Sequence, residues 1–258
     1  MTGQSQPAKW EMFFWPALVA AIGLVIWNFA VHVTKSTVFP APSAVMKGMQ
    51  ELGAKGILLR DILDSLRRVA IGYGLAVLIG VPAGLALGWY PVAANVVNPV
   101  IQMVRPISPL AWIPLAIVWY GVGDASATFL IFVGAFFPII VASMNGARNV
   151  PSILRRAGKN FGLADAGILS KVVFPAALPS IITGLRISLG IAWLVVVAAE
   201  MVAVDSGLGY LIIDSRNSGK RYDLVVAAMV LIGLIGLVLD LGFRRLEKLK
   251  SVRWGFSE

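Results

Sequence analysis

Six apolar runs, each about as long as a membrane is thick, constrain this chain more than any other feature of its sequence. About 20 apolar residues in a helix cross the hydrocarbon core of a bilayer, where every backbone polar group needs a partner inside the protein. Hydrophobic residues make up 58% of the chain and charged residues only 14%, against about 25% charged residues in soluble domains. We therefore predict an all-α integral membrane bundle with about six transmembrane helices, which span roughly residues 12–33, 66–89, 98–120, 125–146, 177–203 and 223–243.

The residue types that carry most enzyme chemistry are scarce in this chain. It has no cysteine and one histidine, His32, which excludes disulfides, iron–sulfur clusters and multi-histidine metal sites. We expect His32 to be an interfacial or packing residue. The sequence contains no G-x-x-x-x-G-K-[ST] loop, so the chain does not hydrolyse ATP by that chemistry. A net charge of +9 in a chain this apolar indicates basic loops against anionic lipid rather than a nucleic-acid partner.

The first apolar run is predicted to be a transmembrane helix and not a cleaved signal peptide. The polar segment before it, residues 1–11, is only weakly basic, and no small-x-small cleavage site follows the run. After Pro42, apolar residues recur at helical spacing opposite Lys47 and Glu51, which predicts an amphipathic helix in or near the membrane interface.

The second and third runs contain residues with specific packing consequences. Gly80, Gly84 and Gly88 lie at i, i+4 and i+8, so they share one helix face and permit another helix to approach closely. The third run contains four prolines and Arg105. It is either a broken helix that carries Arg105 beside a transport path, or a short helix that begins after Pro109 and leaves Arg105 at the cytoplasmic edge.

Two charged residues lie within the fifth run. Arg186 and Glu200 are 14 positions apart, which is about 21 Å along a straight helix, so they do not pair with each other. Charged residues inside a membrane need a partner or water and often mark a transport path. The alternatives are a structural ion pair between helices or a place at the headgroup layer.

Residues 147–176 form a polar, basic segment between two runs. Pro151 and Ser152 are typical of a helix start, and Gly162 of the left-handed residue that ends a helix. Asp165 is predicted to cap a second short helix that Pro175 ends. Because this segment and the basic tail 244–258 must lie on one side of six spans, the positive-inside rule places both termini in the cytoplasm.

The same segment resembles the cytoplasmic loop of ABC-importer permeases, whose pattern is E-A-A, three residues, Gly, nine residues, I-x-L-P. Here it runs from Arg156-Ala157-Gly158 through Gly162 to Val172-Val173-Phe174-Pro175, with Arg156 in place of the acid. In that family the first helix of the loop sits in a groove of the ATPase subunit. The resemblance therefore implies an ATPase-docking loop formed by Arg155, Arg156, Ala157, Gly158, Lys159, Phe161, Gly162, Leu163, Ala164, Asp165 and Pro175.

Other segments resemble the nitrate, sulfonate, taurine and bicarbonate branch of these permeases. They are 105–116, 119–124, 184–193, 198–201 and 206–212. The order and spacing of these segments carry the resemblance. It implies a translocation path that includes Arg105, Ser108, Trp112, Arg186, Trp193 and Glu200.

The resemblance implies a type I importer permease fold in one transmembrane domain, residues 12–258, in the cell inner membrane. Two copies would bind two cytoplasmic ATPase subunits, which bind ATP, so the chain itself would be no enzyme and need no cofactor. An external solute-binding protein would deliver a small oxyanion or sulfonate, such as nitrate, taurine, an alkanesulfonate or bicarbonate. One alternative is the same type of importer with an uncharged or heterocyclic nutrient as its substrate. The other is a stand-alone secondary transporter, which would need coupling carboxylates near the middle of the membrane, where the apolar runs have few acids.

Overall fold

The chain forms a bundle of helices in a computed structural model that describes residues 11–34 and 38–247. All regular elements within these residues are helical. The α-helices are α1 Glu11–Thr34, α2 Pro42–Ala54, α3 Ile57–Trp89, α4 Pro91–Val104, α5 Ile113–Tyr120, α6 Asp124–Arg148, α7 Ser152–Asn160, α8 Asp165–Ile168, α9 Phe174–Ala203, α10 Leu208–Asn217 and α11 Tyr222–Glu247. Residues 1–10 of the predicted cytoplasmic N-terminus and residues 248–258 of the predicted basic tail lie outside the described residues.

The predicted number of spans agrees with the structure. Among the described residues, five helical stretches are long and apolar enough to cross a membrane, and the bent pair α4 and α5 makes a sixth if it is one span. The second span was predicted to begin near residue 66, but its helix begins at Ile57. It is longer because its first turns are held by tertiary contacts, including those of the buried side chains Asp61 and Ser65.

Helices α3, α6 and α9 form the centre of the bundle. The predicted glycine face of α3 is confirmed, because it lies against α6 with almost no intervening space. A Cβ on Gly84 would lie 2.5 Å from the carbonyl oxygen of Ile140, and one on Gly88 would lie 2.5 Å from Ala147 Cβ. The leucine, isoleucine and alanine side chains of α6 and α9 are buried behind this contact. Any side chain larger than hydrogen at these glycines would push the two helices apart.

Helix α1 lies apart from this core. None of the residues in its apolar stretch Ala17–Thr34 is buried within the chain. The Trp27 indole N–H donates to the Pro40 carbonyl (3.1 Å), and its ring contacts Phe39. The side chain of His32 is exposed, so within residues 11–34 and 38–247 it packs against no buried core.

The predicted amphipathic helix is α2, and its apolar face packs against α11. Gly48 lies against Leu224, and Leu52 is buried with residues of α10 and α11. The guanidinium of Arg221, the residue directly before α11, donates to Glu51 (2.7 Å). This hydrogen bond, with a second one from Lys55, lowers the pKa of Glu51 to about 2. The ion pair therefore joins α2 to α11 throughout the physiological pH range.

The third predicted span is a broken helix, as one interpretation of the sequence predicted. A second helical segment also begins after residue 108, close to the start at Pro109 that the other interpretation predicted. Helix α4 ends at Val104, a short 3-10 turn begins at Pro109, and α5 then leaves at 85° to α4. Pro99 lies inside α4, so the break is at residues 105–108 and not at the first proline. Arg105 is exposed at the end of α4. Its predicted place on a transport path stays a prediction.

Candidate functional site

The connection between α6 and α9 is a tight pair of short helices, α7 and α8, as the sequence predicted. Helix α7 begins at Ser152, directly after Pro151. Gly162 ends it with φ of +76°, the left-handed conformation that the sequence predicted. The Leu163 N–H donates to the Gly158 carbonyl (3.1 Å) and the Phe161 N–H to the Ala157 carbonyl (3.0 Å), which fixes the turn.

The predicted boundaries of the second short helix are wrong at both ends. Ala164 and not Asp165 is the N-cap, and Asp165 makes no capping hydrogen bond, although its charge in the first turn suits the helix dipole. Pro175 does not end the helix. A π turn over Leu169–Val173 widens the backbone, and the Phe174 N–H donates to the Leu169 carbonyl, so α8 continues into α9. Widening is one way in which a helix can accommodate a ring that lacks an N–H and would meet the preceding turn.

We call α7 and α8 together the connector. One face of the connector packs against the bundle, and the other face is exposed. Gly158 is buried, and a Cβ there would lie 3.4 Å from Ile168, in a cluster that includes Ala147 and Val173. Arg155 is half-buried and donates to the Val150 carbonyl (2.9 Å). Of the predicted docking residues, Ala157 and Leu163 are also half-buried, and the exposed ones are Arg156, Lys159, Phe161, Gly162, Ala164, Asp165 and Pro175. The exposed face of α7 thus combines cations with apolar side chains, among them Ile153 and Phe161, which is 87% exposed.

A buried charge network lies at the opposite end of the bundle, and sequence reasoning missed its centre, Arg68. The Arg68 side chain is 4% exposed, and it donates to Glu200 (2.8 Å) and to Asp124 (2.7 Å). It also donates to the backbone and side chain of Ser206. The adjacent arginines Arg67 and Arg68 at the start of the second run were the local signal, and they do not reveal the partners of Arg68, which lie on α6, on α9 and beyond it. Glu200 is therefore half of an ion pair between helices, one of the alternatives that the sequence left open.

The Glu200 carboxylate is fully enclosed and fully bonded. It is 0% exposed and accepts hydrogen bonds from Ser65 Oγ (2.9 Å) and the Gly209 N–H (2.9 Å), besides the bond from Arg68. Gly207, with φ of +102°, crosses directly over the ion pair, and a Cβ there would collide with both Glu200 and Arg68. Glycine at this position is therefore required by conformation and by space.

Arg186 is also in an ion pair between helices. Its Nε donates to Asp240 Oδ1 (2.6 Å) and its Nη2 to Asp240 Oδ2 (3.2 Å), which joins α9 to α11. Arg244, one turn further along α11, donates to Asp240 Oδ2 as well (2.9 Å). Trp193 lies beside this group, where Gly236 makes room for its ring, and the indole N–H donates to the Ile232 carbonyl (3.0 Å).

The predicted path residues do not form one cluster. Arg186 and Trp193 line the same small cavity, of about 60 Å³, between α9 and α11. Glu200 belongs to the Arg68 network, and Arg105 and Ser108 lie at the break of the third span. Trp112 packs on the hydrophobic cluster that contains Trp193. In residues 11–34 and 38–247, no group of three or more His, Asp or Glu side chains could hold a metal ion.

Comparison with a structure of known function supports the fold. The chain superposes on a chain of the inward-facing methionine ABC transporter MetNI with a TM-score of 0.65 and 21% identity, over 74% of this chain and 94% of that one. At this identity the likeness concerns the fold, a type I importer permease fold, which was the predicted fold.

Comparison with sequences establishes the family. Residues 76–252 match the family described as binding-protein-dependent transport system inner membrane component. A putative ABC transporter permease of Methanocaldococcus jannaschii is 42% identical over 88% of this chain and 87% of its own length. The taurine transport system permease protein TauC of Escherichia coli is 33% identical over 95% and 93%. The nitrate import permease protein NrtB of Synechocystis is 34% identical over 91% and 88%. The chain therefore belongs to the family of binding-protein-dependent inner membrane transport components, as an ABC importer permease of the nitrate, sulfonate and taurine group.

Proposed function

We propose that this permease imports a small oxyanion or sulfonate. The support is chemical: similar permeases are named for taurine, nitrate and aliphatic sulfonates, which all carry a sulfonate or nitrate group with delocalised negative charge. Bicarbonate has the same character. Two copies of the chain form the path, and an external binding protein delivers the substrate at the end of the bundle that carries the Arg68 network.

The connector, which comprises α7 and α8, supports the energy-coupling part of the proposed function. It lies between two spans, presents cations and apolar side chains, and continues into α9 through the π turn. Each copy binds one cytoplasmic ATPase through this face, with both termini on the same side of the membrane. ATP is bound and hydrolysed by the ATPase, and the permease needs no cofactor of its own.

Co-purification with the ATPase tests this part. The permease is co-expressed with its ATPase and isolated from detergent-solubilised membranes. Gly162→Val is expected to reduce ATPase recovery at least tenfold, because a β-branched residue is strongly disfavoured at φ of +76° and the turn shifts. The matched control is Gly167→Ala, where the new Cβ would meet only Leu163, at 3.7 Å, and recovery is expected to stay unchanged. Recovery of no ATPase by the wild type would refute the docking proposal.

Uptake tests the substrate class. Proteoliposomes that contain the permease, the ATPase and the cognate binding protein are given labelled nitrate, taurine or bicarbonate, each with and without internal ATP. ATP-dependent uptake of one of these is the expected result. Uptake of an uncharged or heterocyclic nutrient, with none of an anion or sulfonate, would overturn the substrate class and leave the docking proposal intact.

A further inference from the structure

A cavity with a strongly positive lining lies between the end of α3 and helix α7. Its volume is about 350 Å³, and it is lined by Trp89, Ser152, Arg155, Arg156 and Lys159. Among these described lining residues there are three cations and no acid. We call this space the basic cavity. Because clustered positive charge without a counter-charge attracts anions, the lining indicates a negatively charged occupant.

The cations of the basic cavity have hydrogen-bond donors to spare. Arg155 donates through Nη2 to the Val150 carbonyl (2.9 Å), but its Nε is buried and has no hydrogen-bond partner in residues 11–34 and 38–247. Arg156 and Lys159 are exposed, and neither pairs with an acid in the same residues. Guanidinium and ammonium groups are the usual donors to phosphate oxygens. The basic cavity therefore suits a phosphate group.

The polar lining of the cavity is one face of α7. This face runs at i, i+3, i+4 and i+7 through Ser152, Arg155, Arg156 and Lys159. Ile153, which is 69% exposed, lies about 100° round the helix from Ser152. An ATPase that binds the apolar side of the connector therefore does not need the face that lines the cavity.

An open apolar groove of about 640 Å³ lies between α3 on one side and α8 and α9 on the other. Among the described residues that line it, only Ser170 is polar, and its hydroxyl donates to the Ala166 carbonyl (2.9 Å). Leu78 is 70% exposed and Phe174 is 38% exposed, so the groove is accessible from outside the chain. An exposed apolar surface of this kind is covered by lipid or by another protein.

The groove and the basic cavity follow one another along α3. The groove residues Leu78, Pro82 and Leu85 and the cavity residue Trp89 lie at i, i+4, i+7 and i+11, so they share one helix face. Trp89 and Leu169, which lines the groove, both pack against the buried cluster that contains Leu85. Trp89 is the last residue of this span, where tryptophan is typical of the membrane–water interface. The groove therefore lies at the depth of acyl chains and the cavity at the depth of headgroups.

We propose that the groove and the basic cavity together bind one anionic phospholipid. Its phosphate lies among Arg155, Arg156 and Lys159, and one acyl chain follows the groove for about 12 Å, the rise of α3 from Val77 to Leu85. A second copy of the chain would also cover the groove. However, the chain has a net charge of +9, so a second copy is a poor counter-charge for three cations. An anionic phospholipid supplies both the apolar chain and the negative charge, and it joins the end of α3 to α7.

The headgroup part is tested by native mass spectrometry of the full-length permease, purified in detergent and titrated with phosphatidylglycerol or with phosphatidylcholine of the same acyl chains. We expect one phosphatidylglycerol per chain, bound about tenfold or more tightly than phosphatidylcholine. Its affinity should fall about 20- to 30-fold in Arg156→Gln/Lys159→Gln, since each Lys or Arg beside anionic lipid contributes a factor of about five. The matched control Arg148→Gln/Lys171→Gln removes the same charge from exposed positions outside the cavity, and its affinity should stay unchanged.

The acyl-chain part is tested by filling the groove. Ala166 lines the groove and is exposed, so Ala166→Phe places a ring there without disturbing the buried core. Binding of both lipids is expected to fall. Ala93→Phe, at an exposed position of α4 outside the groove, should bind both lipids as the wild type does. Glycerol 3-phosphate, which has the phosphate but no acyl chain, should not displace phosphatidylglycerol at equal concentration.

Three results would overturn the inference. Equal affinities for the two lipids, or equal losses in the two charge variants, would show that the cations recognise no headgroup. Displacement by glycerol 3-phosphate would indicate a site for a soluble phosphate. A wild type without bound phosphatidylglycerol, whose dimers are lost in Ala166→Phe, would make the groove an interface between copies. The measurement involves neither the ATPase nor a transported substrate, so its failure leaves the proposed function intact, and failure of co-purification or uptake leaves this inference intact.

Discussion

Replacing Arg68 should strongly destabilise the permease, because its guanidinium is the buried partner of the Glu200 carboxylate. Its side chain is 4% exposed and that of Glu200 is 0% exposed. Arg68→Met would leave the Glu200 carboxylate buried with only Ser65 and Gly209 as donors. Breaking a buried ion pair by removing one partner costs about 3–5 kcal/mol. At about 2–4 °C per kcal/mol for a chain of this size, the unfolding midpoint should fall by about 6–20 °C.

Two companion variants separate charge from packing. Glu200→Gln keeps the shape of the side chain, and Arg68 retains Asp124 and Ser206 as acceptors, so the loss should be smaller than in Arg68→Met. The double variant Arg68→Met/Glu200→Leu removes both charges and should recover much of the loss, because no buried charge is left alone.

The assay is thermal unfolding of the purified permease in detergent, followed by tryptophan fluorescence of its eight tryptophans. Wild type, the two single variants and the double variant are compared at one pH and one salt concentration. A midpoint for Arg68→Met within about 2 °C of the wild type would refute the reasoning, as would a double variant less stable than both single variants.

Three further predictions concern packing, pH and one hydrogen bond. Gly84→Ala should lower the free energy of unfolding by about 1–3 kcal/mol, because the new Cβ would lie 2.5 Å from the α6 backbone. The control is Gly74→Ala on the same helix, whose new Cβ would meet nothing within 4 Å, so its unfolding midpoint in the same thermal assay should stay unchanged. The stabilisation from the Glu51–Arg221 pair should be complete above the usual Glu51 pKa of 4.5 and should be lost as the pH falls through the lowered pKa of about 2. The difference in unfolding midpoint between wild type and Glu51→Gln should therefore shrink between pH 4.5 and pH 2, and a difference unchanged at pH 2.5 would contradict this. Tyr73→Phe removes one hydrogen bond to α9 and should cost about 0.5–1.5 kcal/mol by denaturant titration, whereas an unchanged midpoint would mean that the bond contributes nothing.

The sequence predicted those features that depend on local pattern. Apolar run length gave the spans, the spacing of Gly84 and Gly88 gave the face that meets α6, and Gly162 gave the left-handed turn. Each of these follows from a few neighbouring residues and the period of a helix. The assignment of residues to a transport path rests on resemblance and stays a prediction.

Features that depend on distant partners were not predicted. Arg68 and Glu200 are 132 positions apart, so no local pattern reveals that they pair.

The boundaries of the second short helix were also predicted wrongly. Pro175 was expected to end a helix, since proline usually does, but a π turn in the preceding residues accommodates it. Asp165 lies one position inside the helix that it was expected to cap, an error of one residue at a short helix.

The π turn makes α8 and α9 a single helical rod of 39 residues, Asp165–Ala203, about 58 Å long. One end of this rod lies in the connector and the other carries Glu200, clamped to α3 and α6. A sideways force on the connector therefore acts on a lever whose fulcrum is the tight contact of Gly184 with α6. The widened turn, together with Pro175 and Pro179, which lack an N–H, interrupts the α-helical hydrogen-bond pattern between the connector and that contact, so the rod bends most easily over this stretch. The stiffness of this stretch determines how much of a displacement of the connector becomes a tilt of α9 within the membrane. The rest of the displacement is taken up by bending near the membrane surface.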